Sequence, residues 1–336
     1  MRFQHWLYSV WYENARGRVL LLPLSWLFGF GLRIRQLLYR TGLLRRIQVA
    51  APVIVVGNLT VGGTGKTPLV IWLAQRLAAK GMHPAVVSRG YGARKPRRIR
   101  HARADSDPAE TGDEPVLIAR RTGMPVLVSA DRAEAARIAV LEGANVIIAD
   151  DGLQHYRLMR DCEIVVVDGE RRLGNEALLP AGPLREGPER LCSVAAIVVN
   201  DGEANQGELV MHVVAEEAVP LNGGETLPLS DFAGRTVHAI AGIGNPDRFF
   251  ATLQSLGIDV LAHRFPDHAA YRRRELEFDD DHPVLMTEKD AVKCTAFALS
   301  QTWFVPVRAV LDDIDARELL QRIDIAIENS GNWIGK

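Results

Sequence analysis

The run Val53-Ile-Val-Val-Gly-Asn-Leu-Thr-Val-Gly-Gly-Thr-Gly-Lys-Thr-Pro68 constrains the fold more than any other part of this chain. Four β-branched residues, Val53 to Val56, read as a buried strand. A glycine-rich turn follows, and Gly65-Lys66-Thr67 opens an apolar-striped helix carrying Leu69, Val70, Leu73 and Leu77. Strand, loop and helix in that order form the context of a phosphate-binding P-loop. Its glycines let successive backbone N–H groups turn toward phosphate oxygens, and the helix N-terminus adds partial positive charge. Thr60, Val61, Gly62, Gly63, Thr64, Gly65, Lys66 and Thr67 are therefore expected to hold the phosphates of a nucleoside triphosphate. Lys66 reaches the β/γ-phosphates and Thr67 ligates Mg²⁺. The pattern departs from the strict motif at Thr60, where glycine is usual.

The rest of the chain alternates strands with helices. Strands are expected at Val53–Val56, Ala85–Val87, Val126–Val128, Val146–Ala149, Ile164–Val167 and Ala196–Val199. Helices are expected at Pro68–Lys80, Pro115–Thr122 and Arg132–Glu142, the last capped by Asp131. Continuous apolar strands between helices mean a mostly parallel sheet sandwiched by helices, with ligands outside the carboxyl ends of the strands. Turn-rich sequence near residues 201–230 precedes a second strand–helix series, read as a smaller α/β domain. The expected division is residues 1–48, an N-terminal amphipathic membrane-associated segment, 49–217, a P-loop core, and 218–336, the smaller domain.

Those first residues differ from the remainder. The chain's net charge is −1, which argues against general nucleic-acid binding, yet residues 1–50 carry eight arginines against one acid, Glu13. Trp6, Trp11 and Trp26 lie in the same stretch, around the apolar run Val19–Leu32. As a helix that run spans about 21 Å, short of a hydrocarbon core of roughly 30 Å. Arginine flanks and interfacial aromatics fit a segment lying in the surface of an anionic leaflet. A spanning helix and an ordinary helical pair packed on the domain are the competing readings. Cys162, Cys192 and Cys294 are far apart and without ligand spacing, as expected of buried thiols in a reducing compartment.

Asn145-Val-Ile-Ile-Ala-Asp-Asp-Gly-Leu-Gln-His155 ends an apolar strand in paired acids. Asp150 and Asp151 suit a Mg²⁺ site, because a hard cation takes carboxylate oxygens and the strand end aims them at the phosphates. Ser88-Arg-Gly-Tyr91 follows another strand, and Arg94, Lys95, Arg97, Arg98, Arg100 and Arg103 come soon after. An anion site for a phosphorylated substrate and a solvated basic loop are both open there, with Arg89 favoured over the later arginines. Thr111-Gly-Asp-Glu-Pro115 reads locally as a helix cap, although phosphoryl transfer to a hydroxyl also needs a carboxylate. Gly242-Ile-Gly-Asn-Pro246 lacks the glycine spacing of a dinucleotide fingerprint.

Taken in order, Asn58–Pro68, Ser88–Tyr91, Gly112-Asp-Glu-Pro115, Asp150–His155, Leu179-Pro-Ala-Gly-Pro-Leu-Arg-Glu186, Phe265-Pro-Asp-His268 and Thr287-Glu-Lys-Asp290 resemble the tetraacyldisaccharide 4′-kinase family. The resemblance runs over almost the whole chain, and Thr60 is part of the family's pattern; Thr111 is a minor departure. It implies a two-domain P-loop kinase on the cytoplasmic face of the inner membrane, peripheral or monotopic, in contact with anionic lipids. The implied reaction moves phosphate from ATP, with Mg²⁺, to a lipid A precursor disaccharide, with no nucleic acid and no required protein partner. It assigns Asp113 as catalytic base and His268 as its support, in place of the cap reading. Lys66 and Arg132 join them as catalytic residues, and Ser88, Arg89, Tyr91 and Arg185 become substrate contacts. The alternative from another class is a membrane-associated P-loop switch without lipid kinase activity.

Overall fold

The computed structural model describes residues 2–13, 17–93, 98–297 and 299–329. Arg16, Arg94, Lys95 and Arg97 of the basic stretches lie outside them. The fold is α/β, and the chain packs as two compact units. Unit 1 comprises Met1–Ser88, Asp131–His212 and Leu311–Lys336; unit 2 comprises Arg89–Ala130 and Val213–Val310. Neither unit is one continuous stretch. Residues 89–130 pack with the second series of strands, and residues 1–48 count with the P-loop unit.

Unit 1 contains helices α1 (Arg2–Tyr12) and α2 (Arg18–Arg40), then strand β1 (Val53–Gly57), helix α3 (Lys66–Ala79) and strand β2 (Pro84–Ser88). Helix α4 (Arg132–Leu141) and strands β3 (Val146–Asp150), β4 (Cys162–Asp168), β5 (Ala196–Asn200) and β6 (Leu209–Val214) follow, and α5 (Asp313–Asn329) closes it. The strands run in the order β6-β5-β4-β1-β3-β2, every pair parallel. Val53–Gly57 and Val146–Asp150 are buried throughout, as strands covered on both faces must be. Register sets Val56 beside Asp150 and Asp168 beside Asn200, so the carboxyl edge carries polar residues where the interior strands end. Asn58, Ser88, Asp150, Asp168 and Asn200 there are each under 5% exposed. These buried polar groups are hydrogen-bonded within the protein, and they lie at the carboxyl edge, where parallel sheets of this kind bind ligands.

Helix α2 runs through Pro23 and is longer than the apolar run within it. Its small residues Ser25 and Gly29 face inward, while Leu20 (79% exposed), Trp26 (70%) and Leu27 (67%) face outward with Val19, Leu24 and Phe30. Core helices point large apolar residues the other way, so α2 is not an ordinary core helix. No helix among the described residues is long and apolar enough to cross a membrane.

In unit 2, strands Thr236–Ala241, Asp259–Arg264, Val284–Thr287 and Thr302–Val305 form a parallel set. Glu217–Pro220 and Leu227–Pro228 extend it antiparallel. Phe232, Val237, Leu253 and Leu285 lie in its core. The helix Asp113–Thr122 packs through Val116 and Leu117 on Val292 of the helix Glu288–Cys294. That contact brings the Gly-Asp-Glu-Pro segment to the residues that follow the unit's own strands.

Candidate active site

The P-loop leaves β1 as the sequence requires. Gly62 and Gly65 have φ of 112° and 90°, a backbone that L side chains rarely adopt. A Cβ on Gly65 would also lie 2.4 Å from Asn200 Nδ2. The loop is held from outside by its carbonyls. Asn58 Nδ2 donates to Thr60 O (2.7 Å) and Gly62 O (3.3 Å), Asn200 Nδ2 to Thr64 O (3.1 Å), and Arg171 Nη2 to Gly63 O (2.5 Å). In a trans peptide the next N–H points opposite to the carbonyl. The amides of Gly63, Thr64 and Gly65 are thereby turned away from these side chains, as a phosphate cradle needs. Val61 N also donates to Pro183 O at 2.9 Å.

Lys66, the first residue of α3, donates to Asn58 Oδ1 at 3.1 Å and lies 3.7 Å from Asp151 Oδ1. Arg185 Nη1 donates to both oxygens of Asp151 at 2.9 and 3.0 Å, and Arg132 Nη1 donates to Asp151 O at 2.9 Å. Four of the expected residues are thus one cluster of three cations around one carboxylate. Burial pushes the Asp151 carboxyl up, but Lys66, Arg185 and Arg132 outweigh it and hold it at about 2. Asp151 has φ of 48°, and His268 of 60°. Both are left-handed positions, costing about 1–3 kcal/mol each, which concentrate where function requires them.

Asp150 is 1% exposed, and its Oδ2 accepts the Ser88 hydroxyl at 3.2 Å. Ser88, expected against substrate, is engaged with this carboxylate. Oxygen donors from Asp150, Asp151 and the Thr67 hydroxyl suit Mg²⁺, which takes one or two carboxylates and leaves its other positions to water and phosphate.

In unit 2, Asp113 opens its helix and is 4% exposed. His268 Nδ1 lies 3.0 Å from both its oxygens, although 155 residues separate them. Lys293 Nζ is 3.8 Å from Asp113 Oδ2. Burial opposes the charge on Asp113, but the His268 hydrogen bond and the charges of Lys289, His268 and Lys293 bring its pKa below the usual carboxylate value. For His268, burial and Lys289 favour the neutral ring, and the bond to Asp113 overrides them, so its pKa is raised. The lysines are themselves tied down: Lys289 to Glu114 (2.9 Å) and Asp267 (3.0 Å), Lys293 to Asp290 (2.9 Å). Asp113 accepts from Glu114 N at 2.9 Å, but it is the first helical residue, Gly112 stands at the N-cap and no side chain caps the helix, so the local cap reading does not hold. Tyr91 stacks obliquely on His268 at 4.9 Å between ring centroids, and Arg89 is exposed. Arg100 is spent on Glu110 at 3.3 Å.

The family model for tetraacyldisaccharide-1-P 4′-kinase matches residues 17–325. This chain belongs to that kinase family. The tetraacyldisaccharide 4′-kinase of Methylobacillus flagellatus is 48% identical over 329 residues, 97% of this chain and 98% of that one. The kinase of the same name from Alkalilimnicola ehrlichii is 53% identical, covering 86% of this chain and 87% of its own. Among solved structures, LpxK of Aquifex aeolicus in complex with ATP aligns with a TM-score of 0.74 and 32% identity, over 91% of this chain and 99% of that one.

Within this 4′-kinase, the sequence reading missed Asn200, Arg171 and Lys293, and quoted Asn58 and Lys289 only as motif letters. Asn200 had a usable signal, a polar side chain closing an apolar strand at the sheet's carboxyl edge. Arg171 had none, because it reaches a loop 108 residues away.

Proposed function

We propose that the chain transfers the γ-phosphate of ATP to the 4′-hydroxyl of tetraacyldisaccharide 1-phosphate, giving the bisphosphorylated lipid A precursor. The loop amides and Lys66 hold the phosphates, and Lys66, Arg132 and Arg185 face the charge that spreads over the transferring group. Thr67, Asp150 and Asp151 would hold Mg²⁺, which when bound offsets phosphate charge. Asp113 accepts the proton as the sugar oxygen bonds to phosphorus and the bond to the β-phosphate oxygen breaks. His268 keeps Asp113 ionised and oriented. Ser88 contributes through Asp150, while Arg89, Tyr91 and Arg185 contact the anionic sugar headgroup.

The observation that carries this reading is the buried Asp113–His268 pair, flanked by two lysines, in a chain that also holds a P-loop. A base acting on a sugar hydroxyl needs the lipid acceptor, whereas a switch activates water and turns ATP over without it. Incubation with labelled ATP, Mg²⁺ and the lipid disaccharide 1-phosphate, followed by thin-layer separation, tests it. Label should move to the lipid, and ATP should persist when lipid is omitted; ATP hydrolysis without acceptor would favour the switch.

The substrate's acyl chains keep it in a bilayer, so the enzyme works at that surface. The outward Leu20, Trp26, Leu27 and Phe30 of α2 supply shallow burial, and the flanking arginines supply attraction to anionic lipid. Attachment is peripheral or monotopic, at the cytoplasmic face of the inner membrane where ATP is available.

A further inference from the structure

Between β4 and residue 185 the chain makes an irregular excursion that touches two things at once. On one side it holds the P-loop: Pro183 O accepts from Val61 N (2.9 Å), Arg185 N donates to Leu59 O (2.7 Å), and Arg171 donates to Gly63 O. On the other it seats the N-terminal helices. Trp11 Nε1 donates to Pro180 O (2.9 Å), Asn175 Nδ2 to Val10 O (3.0 Å) and Asn175 N to Trp11 O (2.9 Å). Ser25 Oγ donates to Leu178 O (2.8 Å) and accepts from Ala181 N (2.9 Å). Gly174 stands at φ 59° where a Cβ would come within 2.8 Å of Trp11 O, so the approach of α1 is built into the backbone.

Arg171 joins the two sides. Its side chain is 9% exposed, it pairs with the buried Asp168 at 2.8 Å, and its guanidinium lies 5.8 Å from the ring centroid of Tyr12 on α1. Asp168 Oδ1 also accepts from Arg171 N (2.9 Å), which fixes the residue at both ends. A planar guanidinium can bond Asp168 and Gly63 O together with the Tyr12 ring over it; an ammonium on a flexible stem cannot do all three.

We infer that Arg171 is a positioning residue for the P-loop, aiming the Gly63 peptide from Asp168, and that Tyr12 sets Arg171, so the seat of α1 tunes nucleotide affinity. This rests on the reading of Gly62–Thr67 as the ATP phosphate site. Neither Arg171 nor Tyr12 touches the nucleotide in this scheme; both act through the orientation of one peptide.

The test uses full-length protein and four variants, Arg171→Gln, Arg171→Lys, Tyr12→Leu and Lys66→Ala. Affinity for a fluorescent ATP analogue is measured alongside the KM for ATP and for lipid acceptor on mixed micelles. Loss of a charge-assisted bond to a buried carbonyl should weaken ATP binding roughly tenfold in Arg171→Gln. Arg171→Lys should fall between that variant and wild type. Tyr12→Leu should weaken ATP binding by about two- to fivefold, as expected for a lost cation–π contact. The KM for lipid acceptor should stay within about twofold throughout, a split that general loosening of the fold would not give. Unchanged ATP affinity in both Arg171 variants overturns the inference, as does a loss confined to acceptor KM. Should Arg171→Gln fail to fold, Tyr12→Leu decides alone, and wild-type ATP affinity there overturns it. If wild type binds no ATP, or Lys66→Ala binds it normally, the phosphate-site reading fails first and this inference falls with it.

Discussion

Asp113→Asn separates chemistry from architecture at this site. The amide has the shape of the carboxylate, and its oxygen can still accept from Glu114 N, the 2.9 Å bond that Asp113 makes at the start of its helix. What disappears is the capacity to take a proton. General-base assistance is worth roughly 10²–10⁴-fold, or about 2.7–5.5 kcal/mol of barrier. Stability should change less. Orphaning a buried charge costs about 3–5 kcal/mol, but here Lys289 keeps Glu114 and Asp267, and Lys293 keeps Asp290. The loss should therefore be about 1.5–3 kcal/mol, that of one charge-assisted hydrogen bond to His268. Single-turnover transfer of labelled phosphate to the lipid acceptor measures the first quantity and a urea melt the second. ATP affinity should be unchanged, because the substitution keeps the side chain's shape and leaves Asn58, Lys66 and Thr67 in place. Turnover within about threefold of wild type would refute the base assignment, since it lies outside the range for a lost base. An equal fall in ATP affinity would show structural damage instead.

Four further outcomes are expected. Gly65→Ala should nearly abolish ATP binding, because its Cβ would sit 2.4 Å from Asn200 Nδ2 at φ 90°; normal binding by filter assay would contradict the P-loop geometry. His268, raised in wild type by Asp113, should titrate lower in Asp113→Asn, where the charge of Asp267 is left to oppose burial and Lys289. NMR of the ring carbons reads this. Because the folded His268 pKa is raised and that of Asp113 is lowered, the pair's stabilisation is full between about pH 4 and 6.5. It fades as pH rises through the folded His268 value or falls through the folded Asp113 value. Replacing Leu20, Trp26 and Leu27 with serine should release the protein from phosphatidylglycerol vesicles while ATP affinity holds, measured by flotation. Deleting residues 1–32 is a poorer test, because it also removes Trp11, Tyr12 and Ser25 from the loop that supports Val61 and Gly63.

The strands of the P-loop unit were legible because Val53–Val56, Val146–Ala149 and Ile164–Val167 are apolar on both faces, a pattern that few other structures allow. Boundaries moved slightly: helix α3 begins at Lys66, where the sequence suggested Pro68. Asp150 and Asp151 could be placed at a strand end from the sequence, but their division of labour could not. Only the fold shows Ser88 on one and Lys66 with Arg185 on the other. Asp113 looked locally like a cap, and the partner that alters its reading is 155 residues away. The assignment of residues 89–130 to the second unit leaves no trace in hydrophobic periodicity, which reports whether a face is covered and not what covers it.

The path of the chain has a consequence for how the protein is made. It changes unit four times, after Ser88, Ala130, His212 and Val310, so no single cut yields a finished half. At about 5–20 residues per second, the P-loop emerges from the ribosome roughly ten to fifty seconds before α5, the helix that completes its unit. Asp113 likewise waits for His268 while the 155 residues that separate them are made, a little under half of the chain. Throughout that interval the apolar face of α2 is already synthesised. If α2 attaches to lipid as proposed, a nascent chain that meets the bilayer early would bring its N-terminus to the substrate's compartment before it could bind ATP, and a prematurely ended one would attach without reacting.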